Sequence, residues 1–108
     1  MSERATCTVR ALAAAAKIAY ELAHDIAKDG GRDNGKAVHS GRVIAAAKKR
    51  GIFIRKLRYS GTVARFIRLH PTGSYYLSKR RHAFAVIDGA ISDYTAPGSI
   101  VLNVWRFA

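Results

Sequence analysis

Cys7, His82 and Asp93 are the residues whose types and order could do covalent chemistry in this sequence. A thiol becomes a nucleophile once an imidazole takes its proton. A carboxylate on the second ring nitrogen fixes the tautomer that can take it. Cys7 is the only cysteine among 108 residues, and it opens an alanine-rich stretch ending at Ala16. Thr6 reads as the N-cap of a helix over Cys7 to about Lys17, which puts the thiol in the first turn. There the positive end of the helix dipole favours thiolate. Lys79, Arg80 and Arg81, just ahead of His82, add positive potential. The alternative is an inert, buried cysteine.

What brings the other two residues together is a turn. Asp88-Gly89 is the dipeptide that best fits a two-residue type I′ hairpin. It sets Ile87 opposite Ala90, Val86 opposite Ile91, Ala85 opposite Ser92 and Phe84 opposite Asp93. His82, Phe84 and Asp93 then share a face, with His82 and Asp93 diagonal neighbours at about 7–8 Å. Asp88 lies roughly 20 Å along the strand from His82 and cannot orient it.

Further elements follow from period and punctuation. A second helix is expected over Ala19–Lys28, stopped by Asp29-Gly30-Gly31, and the break between it and the first helix is left open. Residues 30–41 read as an exposed loop, and Gly41–Arg50 as a third helix with Val43, Ile44 and Ala47 inward. Ile52–Tyr59 reads as a strand at or near a sheet edge. Thr62 caps a short helix over Val63–Leu69, which Pro71 ends. Strands follow at Ser74–Lys79, His82–Ile87, Ala90–Tyr94 and Ile100–Phe107. Helices first and then an antiparallel sheet make an α+β domain, and the length suits one domain.

Charge is unevenly spread. The net is +12, and residues 34–87 hold thirteen Lys or Arg and no acid. Such a field attracts phosphate backbones or acidic partners. Lys48, Lys49, Arg50, Arg55, Lys56 and Arg58 are expected to gather on one surface, with Lys79, Arg80 and Arg81 as further candidates for binding nucleic acid or an acidic partner, and phosphate contacts there would be salt-sensitive. Tyr59, Tyr75 and Tyr76 could stack on bases, although strand tyrosines are more often packing residues. A lone cysteine allows no internal disulfide and fits a reducing compartment. Neither a membrane span nor a secretion signal is apparent, so the expectation is a cytoplasmic protein. No metal or cofactor is expected: the histidines have no zinc spacing and Asp33-Asn34-Gly35 lacks the ligands of a calcium loop. His24 reads as a surface residue, His39 as a loop residue and His70 as part of a helix end.

Three blocks carry a resemblance. They are Cys7-Thr8-Val9-Arg10-Ala11-Leu12-Ala13, the segment Gly61 to Gly73 (GTVARFIRLHPTG), and His82 to Asp93 (HAFAVIDGAISD). In this order they resemble small phage-encoded proteins of the papain-like cysteine peptidase type, over nearly the whole chain. The resemblance implies a papain-like fold with N-terminal helices packed on a C-terminal sheet. It implies a peptide or amide substrate, a Cys7 nucleophile, His82 as base and acid, Asp93 as orienter and a thioester intermediate. The oxyanion would be held by the Cys7 backbone N–H and one more donor. Here the sequence departs from the pattern, since no Gln or Asn precedes Cys7. Thr6 is a poor replacement, and Asn34 in the loop is the other candidate. A second reading is a catalytically degraded scaffold that binds nucleic acid or an acidic host protein through residues 34–87. A third, a structural virion component, has no feature of its own.

Overall fold

Alanine, with the least side-chain entropy to lose, builds the first helix, α1, over Glu3–Ala16. The structure, a computed structural model, describes residues 3–30 and 40–108. Helix α1 starts four residues before the expected Cys7, so Thr6 is inside it and not its N-cap. Glu3 and Arg4 are ordinary helix formers, and nothing in their chemistry halts the helix at Thr6. At the other end Lys17 turns left-handed (φ 58°), and the Ile18 N–H reaches back to the Ala13 carbonyl at 3.1 Å. This is a Schellman stop made without glycine, and it separates α1 from α2, Tyr20–Asp29. Gly30 ends α2 at an ordinary φ of −80°. Its role is closeness: a Cβ there would lie 3.0 Å from the Arg42 carbonyl oxygen.

Helix α3 covers Ser40–Lys49 and buries Val43, Ile44 and Ala47 as its period predicts. Gly51, at φ 89°, stops it, and the Ile52 N–H closes the same 6→1 bond onto Ala47. Strand β1 is Ile54–Leu57, and β2 is the two-residue Gly61–Thr62. Thr62 caps α4 (Val63–Leu69), its hydroxyl accepting from the Arg65 N–H at 3.2 Å. Strands β3 (Ser74–Lys79) and β4 (His82–Ile87) match their expected bounds. Strand β5 is shorter than expected, Ala90–Ile91. The last strand is split at Leu102 into β6 (Ile100–Val101) and β7 (Asn103–Phe107). Leu102 gives its N–H to the Ser78 carbonyl, which lets the chain leave the β2–β6 ribbon and enter the main sheet.

The main sheet is antiparallel in the order β1-β7-β3-β4-β5, so β1 lies at an edge as expected. The two faces of its strands feed different cores. Ile54, Tyr76, Ala83, Ala85, Trp105 and Phe107 pack under α1, α2 and α3. Tyr75, Leu77, Phe84, Val86 and Val104 pack with Val63 and Phe66 of α4. Among the described residues the chain is thus α+β, with four helices and an antiparallel sheet. No helix among them is long and apolar enough to cross a membrane.

Candidate active site

The Asp88-Gly89 turn takes the conformation that its residue types favour, with φ of 49° and 81°. Ile87 pairs with Ala90 and Val86 with Ile91. Ladder pairing ends there, but the register continues, because Ser92 gives its N–H to the Ala85 carbonyl and its hydroxyl accepts the Ala85 N–H, both at 2.9 Å. Asp93 comes next, outside the strand, and its Oδ2 lies 2.6 Å from His82 Nε2. The other carboxylate oxygen accepts the Thr95 N–H at 2.8 Å. Asp88 is occupied elsewhere, accepting the Gly73 N–H. The expected partner of His82 is therefore the one it has.

Each side chain of the His82–Asp93 pair is 32% exposed. Partial burial pushes the Asp93 carboxyl up, but hydrogen bonding from Thr95 and His82 outweighs it and holds the group below its ordinary 3.8. The buried Thr95 hydroxyl lies beside the carboxylate and adds to this. The His82 ring stacks on Phe84 at 5.9 Å, which fixes its plane. With Nε2 taken by Asp93, Nδ1 is the nitrogen left to handle a proton.

Cys7 reaches the same end of β4 from the other side. Its Sγ accepts the Ala83 N–H at 3.5 Å. By strand alternation His82 lies with Phe84 on the α4 face, whereas Ala83 packs under α1. Ladder pairing to β5 is confined to Val86 and Ile87, so the Ala83 N–H is left to the thiol. Thiol and imidazole thus approach one strand end from its two faces.

Two expectations about the thiol are corrected. Cys7 lies in the second turn of α1, so its own N–H belongs to the helix ladder and is no free oxyanion donor. Nor is the thiol tuned toward thiolate. Half-burial pushes it above its ordinary 9.0 and the Asp93 charge adds to that, against the opposing pull of the Ala83 N–H and the Thr8 hydroxyl. Thr6 has no capping role, and Asn34 lies outside the described residues.

No family model, curated protein or solved structure matches this chain. Its chemistry has to be read from the site.

Sequence reasoning missed the polar floor beside the thiol. Tyr76 is fully buried, its hydroxyl 2.8 Å from Ser40 Oγ, and Thr8 is 4% exposed and faces both Tyr76 and Cys7. Burial drives the Tyr76 phenol far above its ordinary range, so it is a permanent hydrogen-bonding group and not a proton carrier. The alternating pattern of β3 does put Tyr76 on one face, but the Ser40 partner is invisible without the packing of α3.

Several of the basic residues expected on one surface are separated. Arg50 pairs with Asp29. Arg55 and Lys56 point to opposite faces of β1, and Lys56 lies over the Trp105 ring at 5.1 Å while donating to Asn103. Lys79 donates to Ser99, and Arg80 and Arg81 form the β3–β4 turn at the other end of the sheet from Arg55. Alternation along β1 and the antiparallel order separate what is close in sequence. Tyr75 and Tyr76 are core residues and Tyr59 packs on Phe66, which removes all three as base-stacking platforms. His70 stacks on Phe66 at the end of α4, His24 lies beside Tyr20, and His39 is outside the described residues. Among the described residues no group of three His, Cys, Asp or Glu could hold a metal.

Proposed function

We propose that the chain is a thiol hydrolase, a peptidase or amidase of papain-like type working in a reducing, cytoplasmic setting. The observation that carries this reading is the 2.6 Å His82–Asp93 bond at the strand end where the Cys7 thiol is held. Because the resting thiol is protonated, the reading requires His82 to swing round the unpaired end of β4 from the opposite face, so that Nδ1 takes the proton as sulfur attacks, in the manner of a serine hydrolase and with no standing ion pair. The sulfur–carbon bond forms, the carbonyl becomes an oxyanion, and its collapse expels the amine with the proton from His82. A water, deprotonated by His82, then cleaves the thioester and restores the thiol. Asp93 holds the ring and its charge compensates the transient imidazolium. A backbone donor on the sulfur is the Ala83 N–H, which in this reading turns to the oxyanion.

The test is an activated ester, p-nitrophenyl acetate, with the adduct located by mass spectrometry. The expected result is an acetyl group on Cys7 that turns over. Cys7→Ala should abolish both, and His82→Ala should slow turnover about a hundredfold or more. An adduct that forms once and never hydrolyses, or equal turnover in His82→Ala, would overturn the reading.

A further inference from the structure

The sheet carries a second feature, remote from the thiol. Arg55 and Arg106 stand directly opposite each other on β1 and β7. Like charges in that relation repel, and neither has an ion-pair partner among the described residues. Arg106 is held in place, its guanidinium 5.9 Å above the buried Tyr75 ring. The sequence offers no acid from residue 34 to residue 87 to relieve the pair.

The ladder runs on past Ile54, since the Ala108 N–H donates to the Phe53 carbonyl at 3.2 Å. Alternation then sets Phe53 on the same face as Arg55. Phe53 is 72% exposed. Around the end of the sheet, a cleft of about 270 Å³ is lined by Arg106 together with Lys17, Ile52 and Ser74. Its one acidic side chain is Asp88, which accepts the Gly73 N–H. Lys17 is the left-handed residue at the stop of α1.

We propose that this end of the sheet binds single-stranded nucleic acid. Two guanidinium forks on facing residues can share one phosphate, and the anion removes their repulsion. An exposed aromatic beside them offers a base a stacking surface that an acidic peptide does not need. Lys17, across the cleft, meets the next phosphate. The site is independent of the hydrolase reading, for Arg55 and Arg106 lie at the end of the sheet away from His82.

The test is fluorescence anisotropy of a labelled single-stranded oligothymidylate on the full chain, with the matching duplex and polyglutamate as competitors. The single strand should bind more tightly than either. Phe53→Ser should weaken it about fivefold or more. The pair Arg55→Gln/Arg106→Gln should lower the slope of log affinity against log salt by about 0.7, for the one phosphate they share. Lys48→Gln/Lys49→Gln, which removes the same charge elsewhere, should do so by less. All of these side chains are exposed, and thermal melts check that each variant is folded. Absence of binding, polyglutamate competing as well as the oligonucleotide, an unaffected Phe53→Ser, or equal losses in both charge variants would each overturn the proposal.

Discussion

Replacing Asp93 by asparagine removes the charge of the carboxylate while keeping its shape and its acceptor for the Thr95 N–H. A hydrogen bond to a charged group contributes about 1.5–3 kcal/mol when sheltered. With both partners 32% exposed, solvent screening reduces this to about 1 kcal/mol. For 108 residues, unfolding entropy of roughly 0.23 kcal/mol per degree turns that into a fall in Tm of about 4 °C at pH 7. The sign of the pH dependence follows from the direction of the shift. The folded-state carboxyl titrates below its ordinary 3.8, so its contribution is present above that value and fades as pH falls through the lower, folded one. Thermal melts of wild type and Asp93→Asn should therefore differ at pH 7 and converge under strong acid. Equal Tm values at pH 7, or a gap that persists in strong acid, would refute the assignment of Asp93 as an ionised partner of His82.

Other outcomes follow from single contacts. Alkylation of Cys7 by iodoacetamide in the resting protein should have its midpoint above 9.0, and Asp93→Asn should lower it, because burial and the Asp93 charge both disfavour thiolate. Gly89→Ala should cost about 1 kcal/mol for its left-handed φ alone, since a Cβ there meets nothing closer than 3.5 Å. Gly73→Ala should cost about 3 kcal/mol by urea titration, because its Cβ would also meet the Tyr75 hydroxyl at 2.9 Å. Thr62→Ala should lose about 1 kcal/mol with the cap of α4. Tyr76→Phe should lose about 1–2 kcal/mol, seen as a lower urea midpoint, by stranding the Ser40 hydroxyl.

Much of this was legible in the sequence where one residue type permits one local geometry. Asp88-Gly89 admits the I′ turn, the turn admits one register, and that register delivers Asp93 to His82. Thr62 and Pro71 bracket α4 in the same way. Legibility failed where the outcome depended on something across the fold. Nothing in residues 3–6 says whether the helix starts before or after Thr6. Lys17 stops α1 in a conformation for which glycine is the usual signal. The split at Leu102 depends on the carbonyl of Ser78, a residue of another strand. The thiol failed for a different reason: position near a helix start suggested activation, whereas half-burial decided the matter against the pull of the Ala83 N–H and the Thr8 hydroxyl. The basic run looked like one patch because sequence proximity hides which side of a strand each residue faces.

Strand β7 lies between β1 and β3, although it is the last of the strands in chain order. During synthesis, therefore, β1 leaves the ribosome with its main-chain partner still some fifty residues away. The β3–β4 hairpin can close at once, but it too presents an open flank until the same segment arrives. Assembly of the sheet is a late event with a large loop to close, the kind of topology that folds slowly and leaves strand edges open to other chains meanwhile. Twelve of the thirteen lysines and arginines between residues 34 and 87 have been made by the time β3 and its turn emerge up to Arg80. Their mutual repulsion would keep unfinished copies apart while each waits for its central strand.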